Sequence, residues 1–135
     1  MSTLKVATIQ DTSGNNSSTP AGIAAGTAKA WVNFDGTFGS SPFTEANGGI
    51  RDSFNVSSVT DNGTGDYTVN ITNALSSANY VVTTSYFSST ASTNTCRVKN
   101  NSMTTTAFDI QTGSFQDGSG NSNINYECVM CSVFI

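Results

Sequence analysis

The chain has 135 residues, a length that fits one domain, with 36% hydrophobic and 10% charged residues. Its low charge and its 8 Phe, 4 Tyr and 1 Trp argue against an intrinsically disordered chain. Ser, Thr and Asn together number 55, so hydroxyl and amide groups, rather than charges, supply most of the polar surface.

The charged residues argue against nucleic-acid binding. The net charge is −4, and the basic residues are few and scattered: Lys5, Lys29, Arg51, Arg97 and Lys99. Contacts to phosphate come mainly from Lys and Arg, so we predict no nucleic-acid partner. No apolar stretch approaches the roughly 20 residues that a membrane helix needs, so we predict no membrane span. Met1 to Gln10 lacks the basic region and apolar run of a signal peptide.

The sequence offers little for catalysis or metal binding. It contains no His, the commonest general base and metal ligand. Catalytic triads and zinc sites that need His are therefore excluded within one chain. Most acidic residues fall in segments typical of turns, where Asp caps the backbone, and the turn at 61–66 lacks the spacing of a calcium loop. We predict that the protein is not an enzyme and binds no cofactor or metal.

The three cysteines are Cys96, Cys128 and Cys131. Without a secretion signal, reduced thiols are expected. Residues three apart in an extended strand point to opposite faces, so Cys128 and Cys131 are not expected to bind each other or one ion. We predict buried, inert thiols, with pairing of Cys96 to Cys128 or to Cys131 as the alternative.

In chain order, the first segment is an N-terminal arm, residues 1–29. Thr3 to Gln10 partly alternates between apolar and polar residues, which predicts an extended strand. Asp11 to Thr19 is a run of Thr, Ser, Gly and Asn and predicts a flexible linker. Thr19-Pro20 predicts an N-cap followed by Pro at the first helical position. Ala21 to Lys29 then predicts about two helical turns.

The character of the sequence changes at Ala30. Ala30 to Phe34 is aromatic and β-branched, which predicts a strand. The glycine-rich segment Asp35 to Gly49 predicts a long loop that carries Phe38 and Phe43. Exposed aromatic rings can stack on sugars, so these two residues are candidate surface aromatics. The favoured interpretation of the aromatic residues is that they fill the core and the subunit contacts.

Ile50 to Thr72 predicts a β-hairpin. Its turn is predicted over Asp61 to Gly65, because this segment carries an Asn-Gly step, the strongest short hairpin signal. Phe54 and Val56 are expected to face the same side of the first hairpin strand. The second strand alternates strictly between apolar and polar residues from residue 67 to residue 72.

The rest of the chain predicts further strands. Tyr80 to Phe87 is apolar on both faces and predicts a buried strand, and Cys96 to Lys99 and Thr105 to Thr112 predict two more. Asp117 to Asn123 predicts a turn. Cys128 to Ile135 is apolar on both faces, which is typical of a strand central to a sandwich or packed against another chain.

Seven or eight short strands at near-regular spacing predict an all-β fold. We expect an antiparallel β-sandwich, jelly-roll or immunoglobulin-like, over residues 30–135, preceded by the extended arm with its short helical turn. The doubly apolar C-terminal strand predicts a homo-oligomer, with a trimer favoured. The arm cannot bury enough apolar surface to fold alone, and an extended strand can add to a sheet edge on a partner. Leu4, Val6 and Ile9 are therefore predicted partner-binding residues.

Four stretches carry a resemblance to a known group of proteins: Ser2 to Val6, Thr8 to Asn15, Ala28 to Thr37 and Ile50 to Asn70. They resemble small virion and fibre-type proteins of marine tailed bacteriophages, including phages of cyanobacteria. The resemblance implies a non-enzymatic virion structural protein that assembles in the host cytoplasm and is displayed on the particle exterior. It implies either a capsid decoration or a short tail- or fibre-attached protein, with other virion proteins as partners. The alternative is a carbohydrate-binding adhesin at a fibre tip that recognises a host-surface glycan.

Overall fold

A computed structural model describes residues 5–10, 12–13, 18–88, 94–114 and 122–135. Within them, one short helix precedes nine strands. The elements are α1 (Pro20–Gly26), β1 (Ala30–Phe34), β2 (Ile50–Phe54), β3 (Val56–Gly63), β4 (Asp66–Ile71), β5 (Val81–Phe87), β6 (Asn94–Val98), β7 (Ala107–Ser114), β8 (Ser122–Asn123) and β9 (Cys128–Phe134).

Several predicted strands are confirmed with small shifts at their ends. β1 coincides with the predicted Ala30 to Phe34, and β6 and β7 overlap the two strands predicted between residues 96 and 112. Phe108 and Ile110 of β7 are both buried, as their spacing indicated. The turn predicted at Asp117 to Asn123 lies mostly outside the described residues, and its last two residues form β8.

The strands form two antiparallel sheets packed against each other, which confirms the predicted all-β sandwich. Sheet A has the strand order β2-β1-β9-β5. Sheet B has the order β3-β4-β7-β6, and β8 pairs with β7. The apolar C-terminal stretch forms β9, which lies between β1 and β5 in sheet A. Its residues alternate between buried and half-buried, so the sandwich itself covers only one of its two apolar faces.

The core lies between the sheets and follows the two-residue period of the strands. In β4, Tyr67, Val69 and Ile71 are buried while the residues between them are half-exposed. The buried Tyr67 hydroxyl donates to the carbonyl oxygen of Gly36 and to Oδ1 of Asn125, each at 2.8 Å. Burial raises the pKa of Tyr67 well above its usual value, so the hydroxyl stays protonated and keeps donating.

The chain crosses from sheet A to sheet B at Asn55, whose φ is 56°. Asn tolerates this left-handed conformation, and its side-chain amide donates to the carbonyl oxygens of Lys29 at 3.0 Å and Asn73 at 3.1 Å. The predicted first hairpin strand therefore divides into β2 and β3, which belong to different sheets. The expectation that Phe54 and Val56 share a face is wrong, because Phe54 is 54% exposed and Val56 is 9% exposed.

The β3–β4 hairpin turns at Thr64 and Gly65, at the end of the predicted turn segment Asp61 to Gly65. Gly63 pairs with Asp66, which leaves Thr64 and Gly65 as the two turn residues. The register shifts just before Gly63, so the Asn-Gly step lies at an irregularity of the strand. Gly65 has a φ of 62°, which glycine adopts without steric cost.

β5 is an edge strand, so the prediction of a buried strand over Tyr80 to Phe87 is wrong. Its residues alternate between exposed and half-exposed, and Val81 and Phe87 are 62% and 58% exposed. Tyr80, just before the strand, is buried and donates its hydroxyl to the carbonyl oxygen of Thr104 at 3.0 Å. The apolar composition of β5 would be the same in a central strand and in an edge strand. Its place at the end of the strand order determines its exposure.

The N-terminal arm is only partly as predicted. The Thr19 side chain accepts a hydrogen bond from the Gly22 amide at 3.0 Å, which confirms the N-cap, and the helix ends at Gly26. Residues 5–10 form a single bridge, in which Ile9 and Ser18 exchange backbone hydrogen bonds of 2.8 and 2.7 Å. The predicted strand from Thr3 to Gln10 is thus reduced to one paired residue within the described part. No helix of the described residues is long and apolar enough to cross a membrane.

Candidate interaction surface

The outward-facing residues of sheet A form a largely apolar surface. Paired residues of neighbouring strands share a face, so the register assigns rows across the sheet. Phe54 pairs with Trp31, and Trp31 pairs with Ser132. We call the whole set the outer face of sheet A: Asp52 and Phe54 of β2, Trp31 and Asn33 of β1, Cys128, Met130, Ser132 and Phe134 of β9, and Val81, Thr83, Ser85 and Phe87 of β5.

The large apolar side chains of this face remain accessible to solvent. Val81, Phe87 and Phe54 are each more than half exposed. The other apolar members are half-buried: Trp31, Cys128, Met130 and Phe134. Exposed large apolar side chains gathered on one face are a feature of contact sites on folded proteins. Asp52 is the one charged member of the face, so binding here would depend on apolar contact rather than on charge.

The outer face of sheet B has the opposite character. Its strands present Ser, Thr, Asn, Asp and Gln side chains that bond to each other across the strands. Thr68 Oγ1 donates to Asp109 Oδ1 at 2.6 Å, and Asn70 Nδ2 donates to the hydroxyls of Ser58 and Thr60, each at 3.1 Å. Such a face is adapted to contact with water. The sandwich therefore has one face suited to solvent and one suited to a partner.

A groove beside Phe54 extends the apolar surface. Its volume is about 390 Å³, and its walls include Lys29, Leu75 and Ile135 as well as Phe54. Leu75 is buried, and Ile135 packs partly against the core. Three parts of the chain therefore line the groove together with the junction of β2 and β3: the residues just before β1, the segment after β4, and Ile135.

The predicted partner-binding residues lie away from the core. Leu4 is outside the described residues, and Val6 and Ile9 are 43% and 52% exposed. Ile23 of α1 is 44% exposed, and every residue of that helix is exposed. The arm therefore presents apolar side chains that the sandwich does not cover. Nothing in the described structure brings Val6 and Ile9 together with the outer face of sheet A.

Phe43 is a core residue, so its assignment as a surface aromatic is wrong. It is 0% exposed, and its ring centroid lies 6.0 Å from that of Phe34 and 6.1 Å from that of Tyr67. Phe38 is half-buried and packs edge-on against Phe43 at 5.7 Å. The loop can fold inward here because Gly49 has no side chain. A Cβ at Gly49 would lie 2.7 Å from the Phe43 Cβ and 2.8 Å from Cδ1 of Phe38.

The three thiols occupy two different environments. Cys131 is 3% exposed on the inner face of β9, whereas Cys128 lies on the outer face and donates to Asn33 Oδ1 at 3.3 Å. The predicted opposite orientation of these two cysteines is confirmed. All three cysteines are free, and interaction between the thiols of Cys96 and Cys131 lowers the pKa of Cys96 and raises that of Cys131. Among the described residues, no group of three or more Cys, Asp or Glu side chains could hold a metal ion.

Comparison with protein-family models, with curated proteins and with solved structures finds no match for this chain.

Proposed function

We propose that this protein is a non-enzymatic structural protein of a bacteriophage virion, displayed on the particle exterior as a capsid decoration or a short tail- or fibre-attached protein. The proposal is supported by the resemblance of residues 2–70 to small virion proteins. The observation that carries it is the contrast between the two outer faces of the sandwich. A polar sheet face suits exposure to solvent, and the exposed apolar side chains on sheet A and on the arm suit attachment to other proteins.

The arm is the proposed attachment element. Deleting residues 2–19 is expected to leave a folded β-domain, because no described residue before Ala30 belongs to the core. The same deletion should reduce incorporation into phage particles by about 100-fold. Loss of two buried apolar side chains costs about 3 kcal/mol, which corresponds to that factor in affinity. Incorporation is measured by quantitative mass spectrometry of purified virions.

The matched variants are a double substitution, Val6→Ser with Ile9→Ser, and Ile23→Ser as the control. Ile23 is equally exposed but lies outside the proposed docking segment. The double variant should show most of the loss of incorporation that the deletion causes, and the control should be incorporated normally. Normal occupancy of the deleted protein would show that the sandwich, not the arm, attaches to the virion.

The outer face of sheet A is the proposed contact between copies of the chain. The full-length protein is then expected to form a trimer of about 42 kDa by light scattering, three times the 14.0 kDa chain. Replacing Phe54 and Phe87 together by Glu should convert it to a monomer, because charge is expensive to bury. Ser57→Glu, an equally exposed change on β3 of sheet B, should leave the mass unchanged.

A wild-type mass of 14.0 kDa at micromolar concentration would contradict self-association through this face. If that monomer bound oligosaccharides of the host surface and lost binding on Phe54→Ala, the adhesin would become the better assignment. Trp31 and Phe54, neighbours on the outer face, would then form its aromatic platform.

A further inference from the structure

The two sheets are joined by side-chain hydrogen bonds where the edge strands β5 and β6 meet. Thr84 of β5 donates its hydroxyl to the carbonyl oxygen of Cys96 at 2.7 Å, and Tyr86 donates to that of Asn94 at 2.8 Å. Thr84 is also the cross-strand partner of Cys131 on β9. Cys96 of sheet B and Cys131 of sheet A therefore both lie beside Thr84, one on each of the two facing sheets.

Both side chains point into the space between the sheets. Cys131 lies between buried neighbours on the inner face of β9, and Cys96 pairs with the fully buried Thr112 of β7. The two thiols are close enough to affect each other's pKa, which is lowered for Cys96 and raised for Cys131. Cys96 is half-buried, so reagents from solvent can reach it more readily than they reach Cys131. The third thiol, Cys128, faces the other side of sheet A.

We propose that Cys96 and Cys131 form an intramolecular disulfide that covalently joins sheet A to sheet B. The oxidant is a low-molecular-weight disulfide. The Cys96 thiolate attacks one sulfur of that molecule, its S–S bond breaks, and one thiolate leaves. Cys131 then loses its proton and attacks the Cys96 sulfur of the mixed disulfide, which expels the second thiolate. One external disulfide is reduced to two thiols, and two cysteine thiols are oxidised to one disulfide.

The electrostatics support this order of attack. Interaction with the Cys131 thiol lowers the pKa of Cys96 against the opposing effect of burial. Interaction with the Cys96 thiol and burial both raise the pKa of Cys131. Cys96 is thus the thiol that forms the thiolate first, and the attacking species in exchange is the thiolate.

The disulfide would close a loop that contains β7, β8 and most of β9. Closing such a loop restricts the unfolded chain and stabilises the folded one. A loop of this length is expected to raise the melting temperature by roughly 10 °C. The protein would therefore be more stable in an oxidising environment than in a reducing one. This inference does not depend on the proposed virion role.

The test treats the reduced full-length protein with oxidised glutathione and maps its cysteines by mass spectrometry after alkylation. We expect a loss of about 2 Da, a peptide pair linking Cys96 to Cys131, and an alkylated Cys128. Cys128→Ser should behave like the wild type. Cys131→Ala should stop at a glutathione adduct on Cys96 and show no rise in melting temperature.

Two results would overturn the proposal. One is a wild-type protein that accumulates only glutathione adducts, which would show that the two sulfurs cannot reach bonding geometry. The other is a crosslink through Cys128, within or between chains, in place of the Cys96–Cys131 link. Both are read from the wild-type chain, so the result does not depend on whether a cysteine variant folds.

Discussion

Replacing Phe43 by alanine is expected to lower the free energy of unfolding by about 3–5 kcal/mol, the usual cost of removing a buried phenylalanine. The ring is fully buried and contacts the rings of Phe34, Phe38 and Tyr67. These rings are part of the main core, so the remaining cavity cannot collapse without moving both sheets. Urea denaturation followed by Trp31 fluorescence measures the change.

Phe87→Ala is the matched control, because it removes the same atoms from a side chain that is 58% exposed. Its cost should stay below about 1 kcal/mol when measured at submicromolar chain concentration, where association contributes least. Equal effects of the two substitutions would mean that Phe43 does not lie in the core. The loop from Asp35 to Gly49 would then pack differently from the arrangement described.

Gly65→Ala is expected to destabilise the fold by about 3 kcal/mol or more. Gly65 has a φ of 62°, and a Cβ there would lie 2.3 Å from the carbonyl oxygen of Thr112 and 2.7 Å from the amide nitrogen of Ile124. These are backbone atoms, which cannot move without disturbing the hydrogen bonds between Gly65, Thr112 and Ile124. Thermal and urea denaturation of the variant measure the loss.

Two other glycines separate the contributions of backbone strain and steric overlap. Gly63 has a φ of 131° but open space around it, so Gly63→Ala should cost about 1–2 kcal/mol. Gly39 has neither a positive φ nor a close neighbour at the Cβ position, so Gly39→Ala should change stability by less than about 0.5 kcal/mol. If Gly65→Ala cost no more than Gly63→Ala, the close approach of Gly65 to Thr112 would be contradicted.

The sequence predicts the strands whose local pattern determines their structure. Tyr67, Val69 and Ile71 alternate with polar residues, and this period is sufficient to define β4 and its buried face. Thr19-Pro20 likewise identifies the helix start, because capping depends on neighbouring residues alone. The apolar run from Cys128 to Ile135 correctly indicated the strand β9, but only one of its two faces lies in the core.

The errors arise where pairing between distant strands decides the result. β2 and β3 read as one strand, because nothing in the composition around Asn55 indicates that the partner strand changes there. The sequence predicts a buried β5, because its apolar residues do not indicate that it is an edge strand of sheet A. Phe43 reads as a loop residue on the surface, since its burial depends on how the loop folds against Val59.

The candidate interaction surface was predictable only in part. The apolar C-terminal stretch indicated that one strand has an apolar outer face. The other large apolar side chains of this face come from three separate strands: Trp31 from β1, Phe54 from β2, and Val81 and Phe87 from β5. Only the register brings these side chains to one face, and the register cannot be read from local sequence patterns.

The alternation along β9 separates two kinds of evolutionary constraint. Val129, Cys131 and Val133 are held by the core, and a change in their volume alters the packing of both sheets. Met130 and Phe134, one position away, face outward and are only half-buried, so their exchange is expected to affect folding less. Mutation can therefore change what this sheet recognises one residue at a time, while the fold that supports it is preserved. Descendants of this chain would be expected to share their inward residues and to diverge in the surfaces that they present to their partners.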